Sequence, residues 1–194
     1  MSSFTLILYS YDCVRRLQQC WRRGDKSQVS VELDSSVLSI TGHGSQLLCG
    51  LNSGDLVQAD LGSGLQVKRK EIHEKGVKVV RVDAETGVIW TGSYDGRVRV
   101  WDRSWCQVSE ISIGVAVTDL AFIRDSVFIS GDETSIVSYT GASRAGGDLA
   151  LAWSISVAGG EMMNCLTVWR EKLVTGSDAG LLEIRNINNG EVRF

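Results

Sequence analysis

The chain has 194 residues, of which 43% are hydrophobic and 22% charged, a balance that is ordinary for a folded globular protein and excludes a disordered chain. Its formal net charge of -3 gives no general electrostatic attraction to polyanions. We therefore expect no nucleic acid and no membrane among its partners.

Residues 1–27 form a basic N-terminal segment. The apolar run FTLILY at its start is too short to span a membrane. Further on, Val14, Leu17 and Trp21 fall on one face at helical spacing. The sequence therefore predicts a short helix over residues 12–23.

From residue 28 onward the chain repeats. The copies are LLCGLNSGDLVQADLGSG, IWTGSYDGRVRVWDRSWC, FISGDETSIVSYTGAS and LVTGSDAGLLEIRNINNG. Each combines an apolar pair, a small residue with glycine, a polar turn and an alternating strand. Their anchor glycines are Gly50, Gly92, Gly131 and Gly176. A period of roughly 40 residues with four short strands per copy is typical of β-propeller blades.

Residues 28–194 are therefore predicted to be all-β, with units near 34–73, 74–113, 114–157 and 158–194. The predicted strands of the second unit are residues 77–82, 88–91, 97–101 and 107–113. The first of them, VKVVRV, is the most apolar, as expected of an innermost strand. The last, QVSEISI, alternates as expected of a solvated outer strand.

The second unit, IHEKGVKVVRVDAETGVIWTGSYDGRVRVWD, resembles a WD40 repeat along its whole length. The resemblance implies a buried structural network in which hydrogen bonds join His73, Thr91, Asp95 and Trp101. It also implies a WD40-type β-propeller of about four four-stranded blades, here forming an incomplete ring preceded by the short helix.

The other units depart from this pattern. The turn aspartate is replaced by Ser53, Thr134 and Ala179, and the tryptophan by Ala59, Thr140 and Arg185. We therefore expect strand pairing and apolar packing to hold these units together.

The strand count predicts that the ring is open. The stretch QVSVEL, at residues 28–33, is expected to be the outer strand of an earlier blade whose three other strands are absent. The stretch NNGEVRF begins the outer strand of the fourth unit. Open blades expose apolar faces, so either the chain belongs to a longer product or two copies self-associate through the open blade edges.

Two clusters are candidate partner contacts. Trp105 and Trp153 lie on or near predicted outer strands, where exposed tryptophans would be contact anchors. Lys68, Arg69 and Lys70 belong to a basic cluster on and just after a predicted outer strand. Charges at that place commonly guard an edge against unwanted pairing, and the alternative is a site for an acidic partner.

The five cysteines and two histidines limit the chemistry. The cysteines form no C-x-x-C motif, and two histidines are too few for a multi-histidine metal site. We expect no catalytic residue, no metal and no cofactor. This cysteine usage favours a reducing compartment, the cytoplasm or the nucleus.

The WD40 resemblance implies a non-enzymatic scaffold or adaptor that binds a protein or peptide partner. An alternative is the substrate-recognition subunit of a ubiquitin ligase, because RRLQQCWRR is similar to the end of an F-box, the helical module that tethers some WD40 proteins to such ligases. Further alternatives are a propeller-based enzyme and a fragment without a function of its own.

Overall fold

The structure is a computed structural model that describes residues 4–5, 16–22, 25–60, 66–83, 86–132, 135–142, 148–157 and 162–192. Within these ranges the chain contains strands and turns and no helix, which confirms the predicted all-β class. Every sheet is antiparallel, and within each sheet a strand is hydrogen-bonded to the next one in the chain.

The strands form five sheets. The N-terminal sheet contains β1 (Phe4–Thr5), β2 (Arg16–Arg22) and β3 (Asp25–Glu32). Sheet 1 contains β4 (Val37–His43), β5 (Gln46–Leu51), β6 (Asp55–Asp60) and β7 (Gln66–Glu71). Sheet 2 contains β8 (Val77–Val82), β9 (Ile89–Ser93), β10 (Arg97–Trp101) and β11 (Gln107–Ser112). Sheet 3 contains β12 (Val117–Ile123), β13 (Ser126–Gly131), β14 (Ser135–Thr140) and β15 (Ala150–Ser156). Sheet 4 contains β16 (Met163–Trp169), β17 (Lys172–Ser177) and β18 (Leu182–Asn186).

The N-terminal segment differs from the prediction. Arg16–Arg22 form strand β2, so the helix predicted over residues 12–23 is wrong there, and residues 12–15 and 23 lie outside the described residues. An isolated helix of about a dozen residues is marginal in water, whereas pairing with β3 satisfies the backbone of both strands. The similarity to an F-box requires a helix, and strand β2 does not fit that module.

The strand predicted at residues 28–33 has neighbours. It corresponds to β3, which pairs with β2, and β2 pairs in turn with β1. The expectation that the other strands of this sheet are absent is therefore wrong, because the basic segment supplies two of them.

Sheets 1 to 4 are connected through their first strands. Ser39 on β4 donates a hydrogen bond to the carbonyl of Val77 on β8 at 3.1 Å. Asp119 on β12 accepts one from Arg81 on β8 at 2.8 Å and another from the amide of Leu166 on β16 at 2.9 Å. The sheets therefore stack in chain order with β4, β8, β12 and β16 side by side.

Apolar cores fill the spaces between these sheets. Between sheets 1 and 2 the buried residues include Leu48, Leu56, Val80, Ile89 and Trp101. Between sheets 2 and 3 they include Trp90, Val98, Val100, Leu120 and Ile129. Between sheets 3 and 4 they include Phe128, Ile136, Met163, Leu166 and Leu173. Alternate residues along a strand thus point to opposite faces of the sheet, and the two faces pack against different neighbouring sheets.

The third unit is shifted by one residue from its predicted alignment. In sheet 2, Gly92 on β9 pairs with Val98, six residues further on. In sheet 3 the corresponding pair, also six positions apart, is Ser130 on β13 and Ile136 on β14. The predicted anchor Gly131 therefore lies one residue away from the true position.

The shift changes which residues match the network. The residue at the tryptophan position is Tyr139, opposite Val127, and not Thr140. The turn position predicted at Thr134 falls outside the described residues. The register could not be predicted from the sequence, because β13 contains consecutive apolar residues and both of its faces are buried. A one-residue slip exchanges those faces.

Candidate functional site

Four side chains from different parts of sheet 2 meet in a buried network. His73 precedes β8, Thr91 lies on β9, Asp95 lies in the turn before β10, and Trp101 ends β10. Nδ1 of His73 is 2.9 Å from Oδ2 of Asp95, and Nε2 is 2.9 Å from Oγ1 of Thr91. Trp101 donates its indole N–H to the same Thr91 oxygen at 3.0 Å. The structure thus brings together all four residues that the sequence singled out.

The hydrogen bonds of this network all run in one direction, from Trp101 through Thr91 and His73 to Asp95. The indole N–H of Trp101 can only donate, so Thr91 accepts it and gives its own proton to Nε2 of His73. His73 then carries its proton on Nδ1 and donates it to the Asp95 carboxylate. The side-chain polar atoms of His73, Thr91, Asp95 and Trp101 therefore all have partners, which removes the penalty for burying them.

Asp95 also fixes two backbone segments. Its carboxylate accepts hydrogen bonds from the amides of Arg97 at 3.0 Å and Glu74 at 3.2 Å. Ser93 strengthens the same link, since its hydroxyl donates to the carbonyl of Lys75 at 2.9 Å. The network therefore holds the segment before β8 against the turn between β9 and β10.

Burial and hydrogen bonding set the charge states of His73 and Asp95. Burial lowers the pKa of His73 below its ordinary value, and this outweighs the opposite effect of the neighbouring Asp95 carboxylate. Burial alone would raise the pKa of Asp95, but hydrogen bonds from His73 and from the Arg97 and Glu74 amides lower it. The network therefore contains a neutral imidazole and an ionised carboxylate at neutral pH.

This arrangement leaves no free base for catalysis. Both ring nitrogens of His73 are already bonded and the ring is buried, so substrate has no access to it. Within the described ranges no group of three or more His, Cys, Asp or Glu residues could hold a metal ion. No helix in the described part of the chain is both long and apolar enough to cross a membrane.

In sheet 4, the positions that match the network of sheet 2 contain buried polar atoms without a hydrogen-bond partner. Thr175 stands where Thr91 stands in sheet 2, and Arg185 where Trp101 stands. Both are buried, and Oγ1 of Thr175 and Nε of Arg185 have no hydrogen-bond partner. The Arg185 guanidinium instead bonds the Gly190 carbonyl at 3.0 Å and pairs with the Glu183 carboxylate.

Sheet 1 replaces the network with apolar packing. Cys49 and Ala59 occupy the threonine and tryptophan positions and are buried. Burial raises the pKa of the Cys49 thiol to about 12, so this cysteine is an inert core residue.

The predicted basic cluster is largely used inside the molecule. Arg69 pairs with Asp34 at 2.5 Å and with Asp55 at 2.6 Å. The ammonium of Lys70 donates to the carbonyl of Trp105 at 2.8 Å and lies 4.9 Å from the centre of the Trp101 ring. The Lys70 contacts fasten the outer strand of sheet 1 to sheet 2, whereas Arg69 ties that strand to Asp55 on β6 and to Asp34 before β4. Lys68 lies on the same strand and is exposed.

The two predicted tryptophan contacts lie between sheets. Trp153 on β15 is half-buried, donates its indole N–H to the Ile187 carbonyl at 3.0 Å, and packs 5.8 Å from the Phe128 ring. Trp105 is also half-buried and packs against the core between sheets 1 and 2. Both side chains therefore connect neighbouring sheets.

The largest exposed apolar side chains lie mainly on sheet 4 and its flanking segments, which the sequence did not single out. They are Met162, Trp169, Leu181, Leu182 and Ile184, with Leu151 exposed on β15. The available signal was their place on or beside the strands of the last repeated unit.

The loops form a distinct surface at each end of the sheets. We call one surface the turn end, formed by residues 52–54, 74–76, 94–96, 114–116 and 178–180, and the surface at the other end of the strands the opposite end. Tyr94 is half-buried at the turn end, where the side chains of Glu74 and Lys75 are exposed. The His73 network lies directly beneath these loops and holds two of them together.

Comparisons with known proteins identify the fold alone. No family model matches the chain, and no curated relative matches it. The crystal structure of the computationally designed Ika4 protein is similar, with a TM-score of 0.66 and 18% identity, covering 80% of this chain and 93% of that one. The designed Ika8 protein has a TM-score of 0.72 and 16% identity, covering 87% of this chain and 52% of that one. The chain therefore spans about half the length of Ika8.

Proposed function

We propose that this chain is a WD40-type β-propeller segment that serves as a non-enzymatic scaffold for a protein or peptide partner. The observation that carries the proposal is the network of His73, Thr91, Asp95 and Trp101, which fixes the loops above it. Loops held in place by a rigid set of sheets are a common form of binding surface.

The arrangement of the sheets supports the propeller part of the proposal. Successive units of roughly 40 residues each form an antiparallel sheet, and the first strands of these sheets lie side by side. In this stack sheets 2 and 3 each pack both faces against neighbouring sheets, which is how the blades of a propeller are stabilised.

The scaffold part of the proposal rests on where the polar groups are used. The four buried residues of the network hold loops in place, and their polar atoms bond one another and the backbone of those loops. The turn end offers a half-buried aromatic residue, Tyr94, with exposed charges of both signs from Glu74 and Lys75 beside it. Aromatic residues within a polar rim are typical of protein-binding surfaces.

The test compares the two ends of the sheets. The chain is immobilised, its partners are captured from an extract, and the recovery of the most abundant partner is measured for Tyr94→Ala and for His43→Ala, which changes an exposed residue at the opposite end. We expect Tyr94→Ala to abolish recovery while His43→Ala retains it, with thermal melts like that of the unchanged chain.

Two results would contradict the proposal. One is equal recovery of the partner by both variants, because the turn end would then not be the binding surface. The other is a hydrolytic activity of the purified chain that His73→Gln removes, because the network would then have a catalytic role that its buried geometry does not provide.

A further inference from the structure

A groove runs along the outer strand of sheet 2, on the side that faces sheet 3. Sheet 3 contributes Tyr139 on β14 and, just before β15, Asp148 and Leu149. Sheet 2 contributes consecutive residues of β11, which are Val108, Ser109, Glu110, Ile111 and Ser112. The groove has a volume of about 390 Å³. Because it follows the strand for roughly 13 Å, it has the length of a short extended segment of chain.

The outer edge of β11 offers backbone groups for pairing. Sheet 2 ends at β11, which pairs with β10 on its inner side. The amide of Ile113, directly after β11, donates to the Gly96 carbonyl beside β10 at 3.0 Å. Backbone N–H groups alternate in direction along a strand, so those of Ser112 and Glu110 point outward. The exposure of Glu110 agrees with this, because the residue is exposed although its side chain is only 28% exposed.

The charge on β11 is neutralised from within sheet 2. The strand sequence QVSEIS contains one charged residue, Glu110. Its carboxylate pairs with Arg97 at 2.6 Å and with Arg99 at 2.8 Å, both on β10. Uncompensated charges are a common guard of edge strands against pairing with a further strand. The edge of β11 is therefore suited to accept such a strand.

We propose that this groove, the β11 groove, binds an extended peptide of a partner protein, which adds a fifth strand to sheet 2. The peptide backbone bonds the outward groups of Glu110 and Ser112, and every second side chain enters the groove beside Tyr139 and Leu149. Asp148 favours a lysine or arginine on the peptide, because it is exposed and forms no ion pair with another described residue. This inference is independent of partner binding at the turn end.

Peptides selected from a displayed random library for binding to the unchanged chain test the proposal. We expect the panel to contain a basic peptide whose dissociation constant rises at least about tenfold in Asp148→Lys, which reverses the free charge of the groove. The matched control, Glu74→Lys, makes the same change at the turn end and should leave binding of this peptide unchanged.

A second pair of variants tests the role of the backbone. Ser112→Pro removes an outward N–H and leaves the ladder to β10 in place, because proline is tolerated on an edge strand where its nitrogen faces solvent. It should weaken binding of the peptide about tenfold. Ser112→Ala, which keeps the N–H, should bind the peptide like the unchanged chain.

Methylation of single backbone amides in the peptide leaves the folding of the chain untouched. Binding should weaken at every second amide, because only alternate residues of an added strand bond the edge. Equal effects at all amides, or a panel in which no peptide responds to Asp148→Lys, would overturn the proposal. A dimer of the unchanged chain that Ser112→Pro dissociates would also overturn it, because β11 would then pair with a second copy.

Discussion

Thr91 and Thr175 occupy the same position in sheets 2 and 4, but only Thr91 has hydrogen-bond partners. Thr91 accepts from Trp101 and bonds His73, whereas the Thr175 hydroxyl is buried without a partner. The same residue type is therefore stabilising in one sheet and costly in the other, because its neighbours differ.

Substitution by valine separates the two cases. Thr91→Val should lower the free energy of unfolding by about 2 to 4 kcal/mol, since it leaves Nε2 of His73 and the Trp101 N–H unpaired. Thr175→Val should raise it by about 1 kcal/mol, because it replaces an unsatisfied hydroxyl with a methyl group of similar size. Urea denaturation of both variants measures the difference. Losses of equal size would show that the two threonines have equivalent surroundings.

Removal of the Trp101 ring should be more damaging. Trp101→Ala leaves a cavity between sheets 1 and 2 and should lower the free energy of unfolding by about 3 to 5 kcal/mol. Trp101→Phe, the control, keeps most of the packing and loses the N–H, so a loss of about 1 to 2 kcal/mol is expected. A loss below about 1 kcal/mol in Trp101→Ala would contradict the buried position of this ring.

The stability should fall in mild acid because of His73. Its ordinary pKa is 6.5, and burial lowers it in the folded chain. The unfolded chain therefore binds a proton that the folded chain does not, so the free energy of unfolding decreases as the pH falls from about 7 to about 5. Asp95, whose pKa is also lowered by folding, adds a further loss in stronger acid.

Thermal melts across this pH range test the assignment to His73. His73→Gln should be less stable at neutral pH and should show a smaller change between about pH 7 and about pH 5. His43→Gln, at an exposed position on β4, should keep the full change. The reverse pattern would contradict the assignment of the pH dependence to His73.

Two glycines at matching positions should differ in their tolerance of alanine. Gly92→Ala forces a methyl group against Val117 of the next sheet and should lower the free energy of unfolding by about 2 kcal/mol or more. In Gly176→Ala the new methyl group meets only the Cys165 side chain, which can move. This substitution should change the free energy of unfolding by less than about 1 kcal/mol. Denaturation at low protein concentration compares them as monomers. Similar losses would mean that a sheet already covers Gly176.

The sequence predicted the second unit best because that unit has polar side chains at four fixed positions. The WD40 resemblance implied the partners of His73 and Trp101, which lie far apart in the chain, and the structure brings them together. The third unit has no such constraint, so its register at Ser130 could not be derived from apolar residues alone.

The roles of the surface side chains were harder to predict. The sequence placed Lys70 and Trp153 on outer strands correctly, but their partners, Trp105 and Ile187, come from the neighbouring sheet. Distance along the chain does not reveal such contacts. The strand at Arg16–Arg22 was missed because its apolar residues fit a helical period and its partner β3 lies further along the chain.

The most direct test of the proposed scaffold is hydrogen exchange of the chain with and without its isolated partner. The account predicts slower exchange in the turn-end loops, at residues 74–76 and 94–96, with little change in the loops of the opposite end. Protection confined to the opposite end, or none at either end, would contradict binding at the turn end.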